Sequence, residues 1–188
     1  MKLIIGLHGF AQSGKDTFAD ALVRNYDFRK VAFADPVREL LAEQNPVALF
    51  EDGHPVRLRE LVDRFGWDEA KQIYPPVREL LQSTGMSVRQ VLGARTWIDE
   101  AFRRAEGADR VVFSDVRMTN EAALLRDLYG ATLVKVERPG VGPVNDHISD
   151  AGLPEPLFDW RITNSSTIAD LIAQADMLIH RLTIRRTR

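Results

Sequence analysis

Leu3-Ile-Ile-Gly6-Leu7-His-Gly9-Phe-Ala-Gln-Ser13-Gly14-Lys15-Asp16-Thr17 is the stretch on which the reading of this chain turns. The apolar run Leu3–Leu7 reads as a buried strand. A loop bounded by Gly9 and Gly14 follows and closes in Gly-Lys. A helical pattern then places Phe18, Ala19, Ala21 and Leu22 on one side. Strand, glycine loop and helix in this order are the context of a phosphate-binding loop. Gly9 and Gly14 let the backbone curl with its N–H groups turned inward. The new helix adds the positive end of its dipole, and Lys15 adds a point charge. The usual pattern sets Ser or Thr directly after the lysine, where the hydroxyl meets magnesium. Here Asp16 holds that slot and Thr17 comes one residue late. The flanking strand and helix favour the phosphate loop over a plain strand-to-helix turn.

Working outward, 188 residues suggest one domain with an insert, and a hydrophobic fraction of 45% is enough for a sizeable core. The net charge of −2 gives no general attraction to nucleic acid or a membrane surface. With no cysteine, disulfides, thiolate zinc sites and cysteine nucleophiles are excluded. The start lacks the layout of a signal peptide, and no run approaches the roughly 20 apolar residues that span a bilayer. A cytoplasmic location is expected, that of a bacterial host if the chain is phage-encoded.

Five short apolar segments read as strands: Leu3–Leu7, Lys30–Ala34, Arg110–Ser114, Thr132–Glu137 and Trp160–Thr163. They are largely continuous rather than alternating, as buried parallel strands are. Helical patterns run over Lys15–Asn25, Pro36–Glu43, Pro76–Leu92, Thr96–Ala105, Asn120–Tyr129 and Ile168–Leu182. Pro36 and Pro76 suit a first helical turn, and Gly130 a C-terminal stop. This alternation predicts an α/β, doubly wound, five-stranded and mainly parallel sheet. The whole of 1–188 is expected to be one domain, with 36–105 as a mostly helical, substrate-binding insert. Gln44–Pro55, with Pro46, Gly53 and Pro55, reads as a loop, and the basic tail after Arg181 as a solvated terminus.

Ligands of open α/β sheets sit beyond the carboxyl ends of the strands, and that rule selects the residues that carry chemistry. Asp115 follows the third strand and is read as a magnesium ligand facing the loop, against a plain turn or helix-cap role. Asp16 either shares the metal or caps its helix. Arg117, Arg138 and Arg38 follow the third, fourth and second strands, and are candidates to steady a transferred phosphoryl group. Arg78 and Gln82, four apart, share a helix face in the insert. An arginine fork suits a monophosphate and a glutamine amide a base edge, while a solvated polar face is the plainer reading. Trp97 reads as core of the insert, and His147, in a loop beside Asp146 and Asp150, as a weak candidate for nucleotide contact.

Several stretches together resemble the bacteriophage deoxynucleoside monophosphate kinases. They are Ser13-Gly-Lys-Asp-Thr17 with Ala19-Asp20, and Val77-Arg78-x-Leu80-x-Gln82-x-x-Gly85. Asp115-x-Arg117 with Glu121, Gly130-Ala-Thr-x-Val134 and Arg138-Pro-Gly140 follow. His147-Ile-Ser-x-Ala-Gly-Leu-Pro154 and Ile162-Thr-Asn164 complete the series, in order over most of the chain. In that family Gly-Lys-Asp-Thr is a regular feature, so Asp16 fits. The resemblance implies a P-loop kinase fold and ATP-dependent phosphorylation of deoxynucleoside monophosphates to diphosphates with Mg2+. ATP would be held by Gly9, Ser13, Gly14, Lys15, Asp16 and Thr17. Asn164 would lie near the ATP base, and Arg38, Arg78 and Gln82 would meet the acceptor. It also implies small-molecule nucleotides as partners, without nucleic acid or membrane, and a homodimer. Two departures stand out. The stretch between Asp35 and Pro76 is short and matches poorly, and Ser165-Ser166 follow Asn164 where the family often has an acidic residue and glycine. Two other readings stay open: a kinase for another phosphorylated acceptor such as dephospho-coenzyme A, and a nucleotide-driven switch or assembly protein. Against a GTPase switch, the chain has no Asn-Lys-x-Asp motif.

Overall fold

The structure is a computed structural model that describes residues 3–144 and 152–186, without the side chains of 185 and 186. The chain opens with β1 (Leu3–His8), α1 (Lys15–Tyr26) and β2 (Arg29–Val31). After an excursion through α2 (Asp35–Gln44), β3 (Val47–Glu51), β4 (His54–Arg57), α3 (Leu58–Ile73), α4 (Pro75–Leu92) and α5 (Thr96–Arg104), it returns in β5 (Arg110–Phe113). It ends with α6 (Thr119–Tyr129), β6 (Thr132–Glu137), β7 (Trp160–Thr163) and α7 (Ile168–Arg186). Two compact units result: 1–32 with 103–188, and Phe33–Phe102.

The first unit is built on a five-stranded sheet in the order β2-β5-β1-β6-β7, every neighbouring pair parallel. β1 sits at its centre with all six residues buried, which is why its sequence is an unbroken apolar run. Leu3, Ile5 and Leu7 pack in one core with Phe18 and Leu22 of α1 and Leu171 and Leu178 of α7. Gly6 turns to the opposite face. A Cβ there would stand 2.7 Å from a methyl of Leu133 and 3.1 Å from one of Leu125, so only glycine lets α6 come this close. Helices therefore cover both faces, as the alternation of elements predicts. The strands that follow β1 in sequence lie on both sides of it, which makes its carboxyl end the switch point of the sheet.

The second strand is a correction. It spans Arg29–Val31 rather than Lys30–Ala34, because Ala34 already has helical angles (φ −80°, ψ −16°) and Pro36 pre-sets the first turn of α2. Gln44–Pro55 is a second correction. Most of it forms the antiparallel hairpin of β3 and β4, with Glu51 opposite His54. Asp52 (φ 50°) and Gly53 (φ 80°) make its turn, the left-handed pair that an Asp-Gly hairpin requires.

The Phe33–Phe102 unit has a core of its own, including Val37, Leu41, Val56, Leu58, Leu61, Val77 and Trp97. Trp97 belongs to that core as expected, and its indole N–H donates to the Gly85 carbonyl at 2.9 Å. α3 breaks at Gly66 (φ 70°, ψ 165°), a non-helical residue between its two halves. Among the described residues, no helix is long and apolar enough to cross a membrane. His147 lies outside the described residues.

Candidate active site

The segment between β1 and α1 wraps tightly. The Ser13 N–H donates to the Phe10 carbonyl at 3.2 Å, and the Phe18 N–H to the Gly14 carbonyl at 3.0 Å. Gln12 (φ 65°) and Gly14 (φ 94°) both take left-handed backbone. For Gln12 that conformation is unfavourable, the kind of strain that collects at functional loops. The glycines are required by close approach as well. A Cβ on Gly9 would lie 2.5 Å from both Ser13 Oγ and the Val136 carbonyl, and one on Gly14 would lie 2.4 Å from Asn164 Nδ2. Gly14 caps α1 without a side chain, so the positive end of the helix dipole is left to whatever anion the loop encloses. Ser13 is buried, and its hydroxyl has no hydrogen-bond partner among the described residues. A buried orphan donor in a loop too narrow for Cβ atoms fits a phosphate oxygen.

Lys15 is 8% exposed, and its ammonium meets Asp16 Oδ2 at 2.5 Å. Asp16 is exposed and Thr17 half-buried, both in the first turn of α1. Lys30 of β2 approaches the other Asp16 oxygen at 3.6 Å and binds Asp20 at 2.9 Å. Those carboxylates outweigh its desolvation and raise its pKa. Asn164, expected beside the donor base, gives its side-chain amide to the Ser13 carbonyl at 3.0 Å. Its backbone N–H donates to Glu137 at 2.7 Å. The turn after β7 thus props the phosphate loop from behind.

Asp115, 7% exposed, sits two residues beyond β5. Its neighbours fix it: the Ser114 N–H donates to Val31 and the Val116 N–H to Leu7. The backbone at Asp115 is therefore held at the carboxyl edge of β1, β2 and β5. Arg117 is half-buried in the same turn. Its N–H and that of Met118 both donate to the Glu121 carboxylate, at 2.9 and 3.0 Å, which buries Glu121 as the cap of α6. Arg138 is exposed at the end of β6 and lines a cavity of about 310 Å³ with His8, Gly9, Phe10, Ser13 and Thr163.

His8 closes β1 and is buried, its ring 5.4 Å from that of Phe158. Its Nδ1 lies 2.9 Å from the Val116 carbonyl, which can only accept, so Nδ1 carries a proton. Burial lowers its pKa below the ordinary 6.5; the Val116 bond opposes this, and the charges of Lys135 and Arg117 add to the lowering.

Arg38, Arg78 and Gln82 belong to the helical unit. The sequence pattern places Arg38 after a strand, but it lies inside α2, since β2 stops at Val31. Its guanidinium meets Asp35 at 3.4 Å and Asp68 at 3.8 Å, while its Nε–H is buried with no hydrogen-bond partner among the described residues. Arg78 and Gln82 are both half-buried on α4. Sequence reasoning assigned no role to three residues of the first unit. Lys30 and His8 look like ordinary strand residues. Glu121 was noted only as part of a resemblance, because its cap lacks the Ser or Thr that makes such a box recognisable.

A central parallel strand leading through a glycine loop into a helix, with Lys15 at the mouth and a carboxylate just beyond the neighbouring strand, defines a P-loop kinase. The fold agrees with that of the dephospho-CoA kinase from Campylobacter jejuni, which superposes with a TM-score of 0.50 at 14% identity, covering 99% of this chain and 100% of that one. A family model described as deoxynucleotide monophosphate kinase matches residues 67–175, more than half of the chain. A putative deoxynucleotide monophosphate kinase of Acanthamoeba polyphaga mimivirus is 28% identical over 185 residues, covering 92% of this chain and 93% of the relative. The deoxynucleotide monophosphate kinase of Enterobacteria phage T4 is 24% identical, covering 93% and 97%. The chain belongs to the deoxynucleotide monophosphate kinase family, and it is a nucleotide kinase.

Proposed function

We propose that this kinase transfers the γ-phosphoryl group of ATP to deoxynucleoside monophosphates, giving ADP and the diphosphate. The observation that carries the reading is the loop Gly9–Thr17, built around an orphaned buried hydroxyl and a buried lysine, in a chain of this family. An oxygen of the acceptor phosphate bonds to the γ-phosphorus, the bond from that phosphorus to the β,γ-bridging oxygen breaks, and ADP leaves. No covalent enzyme intermediate is involved. The protein supplies position and charge. The loop N–H groups and Ser13 hold the donor phosphates, and Lys15 turns from Asp16 to the outer ones. Arg117 and Arg138 offset charge that spreads over the moving group. Asp115 and Asp16 are the carboxylates suited to Mg2+, a hard cation that takes one or two of them and draws its other ligands from phosphate and water. The bound ion would neutralise the polyphosphate.

On the helical unit, the unpartnered Nε–H of Arg38 and the half-buried pair Arg78 and Gln82 are assigned to the acceptor. Arg78 takes the phosphate dianion, and Gln82 reads a base edge. Arg78→Ala tests this. Losing a charged hydrogen-bonded contact costs about 1.5–3 kcal/mol, so KM for the monophosphate should rise roughly ten- to a hundredfold where it reflects binding, with KM for ATP nearly unchanged. A rise confined to ATP would reverse the two assignments. Turnover of dephospho-coenzyme A, or ATP consumption indifferent to added monophosphate, would favour the other kinase or the switch.

A further inference from the structure

We propose that Lys30 is a positioning residue that takes Asp16 from Lys15 when the loop receives its nucleotide. The proposal rests on the reading that Lys15 engages the donor phosphates. A carboxylate in the slot after the loop lysine poses an electrostatic difficulty, since its negative charge sits at the helix end where a triphosphate would arrive. In this structure that charge is already shared. One Asp16 oxygen meets Lys15 at 2.5 Å, and the other lies 3.6 Å from Lys30. Asp16 and Asp20 are one turn apart on α1, and Lys30 reaches both from β2, at 3.6 and 2.9 Å. Lys15, Asp16, Lys30 and Asp20 therefore form a chain of alternating charge. Its first member is nearly buried at the loop, and its third stands on a strand outside the loop.

The two lysines are not equivalent. As Lys15 turns its donors to phosphate, its hold on Asp16 weakens. Lys30 has Asp20 as an anchor and can close the remaining gap to Asp16 by a small side-chain movement. Once Lys15 leaves, Lys30 stays on one Asp16 oxygen and offsets part of the carboxylate's charge, leaving the other oxygen to a metal ion. Without Lys30, Asp16 would hold Lys15 more firmly and leave more of its charge facing the triphosphate. Both weaken the nucleotide-bound state.

The test is ATP affinity measured by calorimetry, with melting temperature as a separate readout. Lys30→Met should weaken ATP binding about tenfold, equivalent to about 1.4 kcal/mol. Lys30→Arg should restore affinity to within about threefold, because it keeps the charge on a long stem. Asp20→Asn should leave affinity within about twofold. In an Asp16→Asn background, Lys30→Met should lose its effect, because there is no carboxylate left to hold; this coupling is what a merely structural tie between β2 and α1 would not produce. The same loss of affinity in that background, or an equal loss from Asp20→Asn, overturns the proposal. So does a Lys30→Met protein that melts lower but binds ATP normally. If Lys30→Met does not fold, Lys30→Gln takes its place in the same cycle. Lys15→Ala is measured alongside: unchanged ATP affinity there removes the underlying reading of Lys15, a result distinct from failure of the Lys30 coupling.

Discussion

Lys15 is nearly buried, and its ammonium is paired with a neighbouring carboxylate that is itself exposed. A charge kept from water in this way is ready for a stronger anion at little reorganisation, which is how a positioned cation stabilises charge in a transition state. Lys15→Ala should reduce kcat by about 10²–10³-fold, the loss typical of one electrostatic stabiliser, in a protein whose circular dichroism spectrum matches the wild type. Near-normal turnover in such a folded variant contradicts the loop assignment. His8 makes a second prediction at this scale. Its folded pKa is depressed by burial, so the unfolded chain takes up the proton first as pH falls. The stability it contributes is whole above the unfolded value of 6.5 and is lost as pH drops through 6.5 toward the lower folded pKa. Between about pH 7.5 and about pH 5, the wild type should therefore lose more melting temperature than His8→Asn. Parallel pH profiles for the two proteins would show that the imidazole is not held neutral.

Among the elements, the loop from β1 to α1 depends on a contact that no local sequence signal announces. Gly14 is left-handed, and Asn164, from the turn after β7, presses on it and binds the Ser13 carbonyl. Gly14→Ala should destabilise the protein by about 1–3 kcal/mol through backbone strain and weaken ATP binding as well. The comparison is Gly130→Ala, at the end of α6, where φ is 61° and no atom lies within 4 Å of the added Cβ. That variant should share the strain but spare ATP. If Asn164 is the obstacle, Asn164→Ala should relieve part of the Gly14→Ala penalty, and strict additivity in chemical denaturation would contradict the latch. The sheet and its loop were legible in the chain because a buried parallel strand must be an apolar run and a tight anion-binding turn must contain glycine. The four other sheet strands were found for the same reason, with β2 displaced because Phe33 and Ala34 continue its apolar character into the turn before Pro36. The hairpin was hidden because Pro46, Gly53 and Pro55 suggested a loop. Yet Asp52-Gly53 between Val47-Ala-Leu-Phe-Glu51 and His54-Pro-Val-Arg57 is a turn signal of the kind that makes hairpins. The ion pairs of Lys30 and the bond from Asn164 to Ser13 were not legible, because each joins two separate elements at positions where periodicity carries no information.

For the molecule as a whole, the division into two units with separate cores follows from the length of chain between β2 and β5, too long for a single crossover and rich enough in apolar residues to bury a core of its own. The sheet unit carries Ser13, Lys15, Asp115, Arg117 and Arg138, while Arg38, Arg78 and Gln82 belong to the helical unit. Under the proposed function, the first set serves the donor and the second the acceptor. The net charge of −2 gives no general attraction for polyanions over the surface. The central claim is that the donor's terminal phosphate ends on a deoxynucleoside monophosphate. The direct measurement is to incubate the protein with ATP, Mg2+ and each of the common deoxynucleoside monophosphates in turn, beside dephospho-coenzyme A and a sample without acceptor, and to separate the products by ion-exchange chromatography. The account predicts a deoxynucleoside diphosphate and ADP in equal amounts with at least one of these monophosphates, and negligible ADP without an acceptor. ADP released at the same rate whether or not a monophosphate is present, or a phosphorylated product only from dephospho-coenzyme A, would contradict it.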